Sequence, residues 1–167
     1  TRVRNLLVNQ GQSQLLLHDY AAALDTFNET LSLEVDDSKR VIALAGLGIA
    51  YFELNQWDQA ERIFLQARQM AIEAGNRRFE AWAIGELATT YFHQGREIAQ
   101  ALELFDRSIS MFAELGDVRN EVIFQGNRAS LLRDLGRYEE ALAINLEIES
   151  RLQGIEDQPP NPIITKN

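Results

Sequence analysis

The 167-residue sequence predicts an all-α protein, an α-solenoid of four antiparallel helix hairpins (eight helices), and three observations carry that prediction. A pattern recurs: Asp19–Phe27, Gln56–Phe64, Ile98–Phe105 and Arg137–Asn145 align on Ala23, Ala60, Ala101 and Ala141, each followed four residues later by Phe27, Phe64, Phe105 or Asn145. These anchors lie 37, 41 and 40 residues apart. Upstream of each runs a second apolar-periodic stretch, at Leu6–Leu17, Val41–Leu54, Ala81–Phe92 and Val122–Leu135, so every unit reads as two helices. The only prolines, Pro159, Pro160 and Pro162, follow Asp157, so nothing upstream forces a helix to break.

The residue types suit the elements in turn. A small alanine lets two antiparallel helices approach, and the large side chain one turn later fills the groove beside it. Gly95 and Gly136 fall where the first helix of a hairpin must stop, because glycine tolerates the left-handed backbone of the turn. Between hairpins, Gly75-Asn76 and Gly116-Asp117 pair a glycine stop with a side chain able to accept from the next helix's free amides; Asp36, Asp37 or Ser38 would serve at the first junction. Four repeats at about 3–37, 38–75, 76–116 and 117–153 thus make one domain over 1–154, followed by a non-helical, proline-containing tail at 155–167.

Composition narrows the function. A hydrophobic fraction of 46% is enough for a continuous core. The net charge of −9 argues against a phosphate backbone or an anionic membrane as partner. No cysteine is present, so disulfides and thiolate metal sites are excluded, and no cofactor or metal is expected. The longest apolar run, Val41–Phe52, has 12 residues, too short to cross a bilayer. No signal peptide is visible, which makes the cytoplasm the default location, and the start at Thr1 suits a segment excised from something longer.

These residues resemble the tetratricopeptide repeat. The second unit matches best, with Leu44, Leu47, Gly48, Tyr51, Trp57, Ala60, Phe64 and Ala67. The first keeps Gly11, Tyr20, Ala23 and Phe27; the third keeps Leu87, Ala88, Tyr91, Gly95, Ala101 and Phe105 with one extra residue between its helices; the fourth keeps Ala129, Gly136, Tyr138 and Ala141. Periods near 40, with AGNRRFEAW and LGDVRNEVI at the junctions, are similar to the lengthened repeats of kinesin light chains, G-protein-regulatory scaffolds and bacterial signalling proteins. The resemblance implies a right-handed superhelix whose first helices line a concave groove that binds a peptide or protein segment without catalysis. The alternative it implies is a regulatory, sensor or dimerisation module within a larger signalling or transcription-regulatory protein.

Carrying over the family's groove offsets gives Asn9, Gln12, Ile49, Phe52, Glu53, Trp82, Glu86, Thr89, Phe92, His93, Asn127, Ser130 and Arg133 as the partner-binding wall. The carboxylate clamp of chaperone-binding members is missing: its offsets hold Val8, Gln12, Gly46, Trp82 and Glu86 here. What remains is an apolar patch of Ile49, Phe52, Trp82 and Phe92 flanked by amides, suited to a segment with apolar anchors. Residues 80–119 sum to −4, which favours basic flanks on that partner, while ordinary solvated helix faces remain the bland alternative.

Other signals read as structural. His93 and His18 belong to different helices with no metal spacing. Trp57 is expected in the core, and Trp82 either binds or packs. Gly46-Leu47-Gly48 lies inside a helix and reads as close packing, not a phosphate loop. Glu139-Glu140 point about 100° apart and read as first-turn charges. Asn28-Glu29-Thr30 falls inside a helix and reads as a chance glycosylation triplet. The last helix, expected over Arg137–Leu152, carries Leu142, Ile144, Leu146, Ile148 and Leu152, more than one hairpin partner buries. Its face would be covered by a second copy as a homodimer, by a domain outside this segment, or by Ile163-Ile164 folding back.

Overall fold

A computed structural model describes residues 2–33 and 35–156. Eight helices follow in order, with no strand among the described residues: α1 Arg2–Leu16, α2 Tyr20–Ser32, α3 Asp37–Glu53, α4 Trp57–Glu73, α5 Arg77–Gln94, α6 Ile98–Glu114, α7 Val118–Asp134 and α8 Tyr138–Glu156. Consecutive helices pair into four hairpins, and each second helix also packs on the first helix of the next hairpin. The first helices touch one another in sequence, α1 with α3, α3 with α5 and α5 with α7, whereas the second helices make no such contacts. That asymmetry draws the first helices to the inside of the curve.

The starts of α3, α5 and α7 follow from side-chain capping. Asp36 accepts from the Lys39 amide at 3.0 Å, Asn76 from the Phe79 amide at 3.1 Å and Asp117 from the Asn120 amide at 3.3 Å. Of the three candidates at the first junction, Asp36 is therefore the cap. The hairpin turn after α5 uses Gly95 at φ 65°, and the extra residue of this unit puts Glu97 at φ 50°, a left-handed position occupied without glycine's freedom.

Small against large organises the interior. Ala23, Ala60, Ala101, Phe27, Phe64 and Phe105 are fully buried, and Ala141 nearly so. Phe27 is gripped from both sides: a Cβ on Gly11 of α1 would lie 2.6 Å from its ring, and one on Gly46 of α3 only 2.2 Å. Gly48 admits Phe64 in the same way, also at 2.2 Å. The Gly46-Leu47-Gly48 run is thus a packing device, as its sequence context suggests. Further along, Phe112 of α6 stacks on Phe124 of α7 with centroids 5.7 Å apart.

One boundary differs from expectation. Helix α8 runs through Gly154 to Glu156, past the tail's expected start at 155, because no proline interrupts it before Pro159. The Ile163-Ile164 fold-back lies outside the described residues.

Candidate functional site

The inner wall is built from one face of α1, α3, α5 and α7, and its geometry sorts the predicted site residues into three groups. At one end of the wall four rings meet. Phe52 on α3 stands edge-on to Trp57 (5.2 Å) and to His93 (5.1 Å), His93 stacks on Trp57 (6.0 Å), and Phe92 approaches His93 (5.0 Å). Phe52 and Phe92 are half-buried and His93 is exposed, so the cluster offers a partly open aromatic surface. Trp57 corrects the sequence reading: it is half-buried within this cluster and not sealed in the core. As the first residue of α4 it stands beside the end of α3, with His93 at the end of α5 stacked on it and part of its ring left open.

The second group is structural. Trp82 stacks on Phe79 (5.3 Å) and meets the edge of Phe64 (5.6 Å), bridging three core clusters. Of its two sequence readings, packing therefore accounts for most of its surface. Thr89, expected on the open wall, is 8% exposed; its hydroxyl donates to the Gly85 carbonyl at 2.9 Å and accepts from Asn127 Nδ2 at 3.3 Å. A threonine one turn below a helical carbonyl satisfies itself this way, and sequence offsets alone do not register it. Asn127 is half-buried and tied to it.

The third group is open and polar. Asn9, Gln12, Glu53 and Arg133 are exposed, and Ile49 and Ser130 are half-buried. Arg133 reaches its neighbour Asp134 at 3.4 Å. Glu86, on α5 between these groups, is half-buried. Burial pushes its carboxyl from 4.5 up to about 7, the charge of Glu53 adds to this, and the Trp82 indole N–H offsets part of it. Glu53 in turn raises the Tyr20 hydroxyl on α2, after burial. Sequence offsets put Glu86 on the wall but gave no sign of its environment, which needs Trp82, Glu53 and the fold together.

Polar contacts tie successive helices together. Tyr91 donates to Glu61 at 2.9 Å, and burial with that acceptor pushes its hydroxyl up to about 12. Glu121, 4% exposed, is paired with Arg151 of α8. A recess of about 480 Å³ lies between α3 and α4, bordered by Asp37, Arg40, Gln66 and Glu73. Among the described residues no group of three or more acidic or histidine side chains is arranged to hold a metal ion, and no helix is long and apolar enough to cross a membrane.

A stacked array of helical hairpins is the class of protein these features define. The chain belongs to the tetratricopeptide repeat family, which it matches over residues 2–73, 39–114 and 79–153. Repeats of this family generally mediate protein–protein interaction and are generally non-enzymatic. No curated protein matches the sequence. Among solved structures, nearly identical TPR-like repeats from a kinesin light chain-like protein of Podosopora anserina are similar at 15% identity and a TM-score of 0.71, covering 95% of this chain and 78% of that one. A second crystal structure of those repeats is similar at 12% identity and a TM-score of 0.58, covering 92% and 96%. BtubC (BKLC) from P. vanneervenii is similar at 14% identity and a TM-score of 0.54, covering 94% and 82%. At these identities the likeness is one of fold.

Proposed function

We propose that the chain is a non-catalytic interaction scaffold whose inner wall receives a protein segment carrying apolar anchors and one lysine or arginine. The apolar anchors would occupy the surface around Phe52 and Phe92, and the cation would lie against Glu86 and Glu53.

One observation carries this reading. Five described acidic residues are buried or half-buried: Glu61, Glu80, Glu86, Asp117 and Glu121. Four of them have an arginine within reach: Arg96 at 3.7 Å from Glu61, Arg107 at 3.0 Å from Glu80, Arg78 at 3.2 Å from Asp117, and Arg151 on Glu121. Glu86 alone has no cationic partner among the described residues, although it is on the wall where the family binds its ligands. A desolvated carboxylate without a counter-charge is unfavourable, and proteins retain such groups where function requires them. A cationic side chain from a partner supplies the missing counter-charge.

Selection from a displayed library of random peptides tests the reading. Enriched peptides are expected to place Lys or Arg between apolar residues, and to lose about 1–3 kcal/mol of affinity on Phe92→Ala or Glu86→Gln. Peptides without a basic residue, or binding indifferent to both substitutions, would remove the assignment.

A further inference from the structure

The two central hairpins, α3–α4 and α5–α6, can be compared position by position. Their caps Asp36 and Asn76 and their positive-φ turn residues Asn55 and Gly95 set the register of the first helices, and Ala60 and Ala101 that of the second. First-helix positions then lie 40 residues apart and second-helix positions 41. In α5–α6 two ion pairs cross the hairpin at its open end, Arg77 with Glu114 at 2.9 Å and Arg107 with Glu80 at 3.0 Å. The same four positions in α3–α4 hold Asp37, Glu73, Gln66 and Arg40. The α3 charges are inverted, while α4 keeps the acid and loses the arginine. Asp37 therefore stands opposite an acid and Arg40 opposite an amide, and neither they nor Glu73 form an ion pair among the described residues. Glu73 accepts instead from Gln69 of its own helix at 2.8 Å.

The recess of about 480 Å³ opens at these positions. Ala74 stands where α6 has the larger Leu115, and half-buried Met70 and the edge of Leu44 supply an apolar lining. Its borders are the start of α3 and the end of α4, so it lies at the opposite end of the hairpin from Phe52 and Trp57. We propose that this recess binds a basic amino acid, free or at the end of a peptide chain. The side-chain cation sits between Asp37 and Glu73, the carboxylate lies against Arg40 and the Gln66 amide, and the methylene stem rests on Met70 and Leu44.

The next hairpin shows that a guanidinium fits here, because Arg77 places one against Glu114 at the corresponding position. Asp37 and Arg40 are one helical turn apart, with Cβ atoms about 5–6 Å from each other, a span that a stem of three or four carbons crosses. The volume is within the range of about 300–1,000 Å³ usual for small-molecule sites. An acidic amino acid would bring its second carboxylate against Asp37 and Glu73, and a polyanion would meet both acids. The three charged side chains are exposed, so water screens them and the expected affinity is about 1–10 mM.

Nuclear magnetic resonance titration of the isotope-labelled chain with L-arginine tests the proposal. Saturable amide shifts are expected in the first turn of α3 and the last turns of α4. Agmatine, which is arginine without its carboxylate, should bind about fivefold more weakly. Arg40→Gln should weaken arginine by about the same factor and leave agmatine unchanged. Asp37→Arg supplies from the chain the guanidinium that Arg77 supplies in the next hairpin, so it should abolish arginine binding and raise the melting temperature. Matching circular dichroism spectra establish that both variants fold. Acetyl-Gly-Gly-arginine separates the two sources: binding equal to that of arginine marks a chain end, and much weaker binding marks the free amino acid. Shifts that do not saturate, or that are confined to the inner wall around Glu86, overturn the proposal. So does agmatine binding as tightly as arginine, or arginine binding that survives Asp37→Arg.

Discussion

Glu86→Gln provides the sharpest test of the inner wall. The carboxyl ionises near 4.5 in an unfolded chain and at about 7 in the fold. The folded state therefore binds the extra proton between those values, and stability falls as pH rises through that window. Below about 4.5 both states are protonated and no penalty exists. Above about 7 the penalty is complete, and a displacement of that size corresponds to about 3 kcal/mol. Solvent reaches the half-buried side chain, and screening brings the working figure to about 2 kcal/mol. Glutamine has the shape of the protonated acid and no charge to desolvate. The variant is expected to match the wild type at pH 4 and to exceed it by about 2 kcal/mol at pH 8, equivalent to roughly 4–8 °C in melting temperature. Urea unfolding of both proteins at pH 4, 6 and 8 measures the difference, in which all other titrating groups cancel. The charge that adds to the shift is Glu53 of α3, and Glu53→Gln should reproduce a smaller part of the gain, since burial is the larger cause. A difference that does not change with pH, or a glutamine variant less stable at pH 8, would refute the reasoning.

Two further outcomes follow from packing and charge. Arg151→Ala leaves Glu121 buried without its counter-charge and should destabilise the α7–α8 hairpin by about 3 kcal/mol, read by urea unfolding at pH 7; a change under about 1 kcal/mol would show that solvent already screens the pair. Gly46→Ala gains about 1 kcal/mol of helix propensity but drives a methyl into the Phe27 ring, which Gly11 blocks from behind, so a net loss of about 1–2 kcal/mol is expected. Phe27→Leu in the same chain should return part of that loss, and equal stability of the single and double variants would place the strain elsewhere.

Periodicity and residue size made the helices and their order legible. The alanine anchors with Phe27, Phe64 and Phe105, the glycine turns, and the caps at Asn76 and Asp117 are local features, each decided within a few residues of chain. The inner face of each first helix was reasoned from a fixed rotation per residue, which is how Asn9, Ile49, Phe52 and Ser130 came to be expected on the wall. Side-chain environment was not legible, because it depends on residues far away in sequence. Thr89 is consumed by Gly85 and Asn127, Trp82 is wedged between Phe64 and Phe79, and Trp57 joins Phe52 and His93 at the rim. Trp82 lies one turn before Glu86 on α5, but that Glu86 is half-buried with no cation among the described residues emerges only when the fold brings Glu53 of α3 and the surrounding core beside it. Sequence by itself determined the repeat and its phase, since these rest on short-range geometry. Tertiary structure decided which wall residues are open, which are satisfied and which carry an uncompensated charge, since desolvation and pairing are properties of neighbours that only folding assembles.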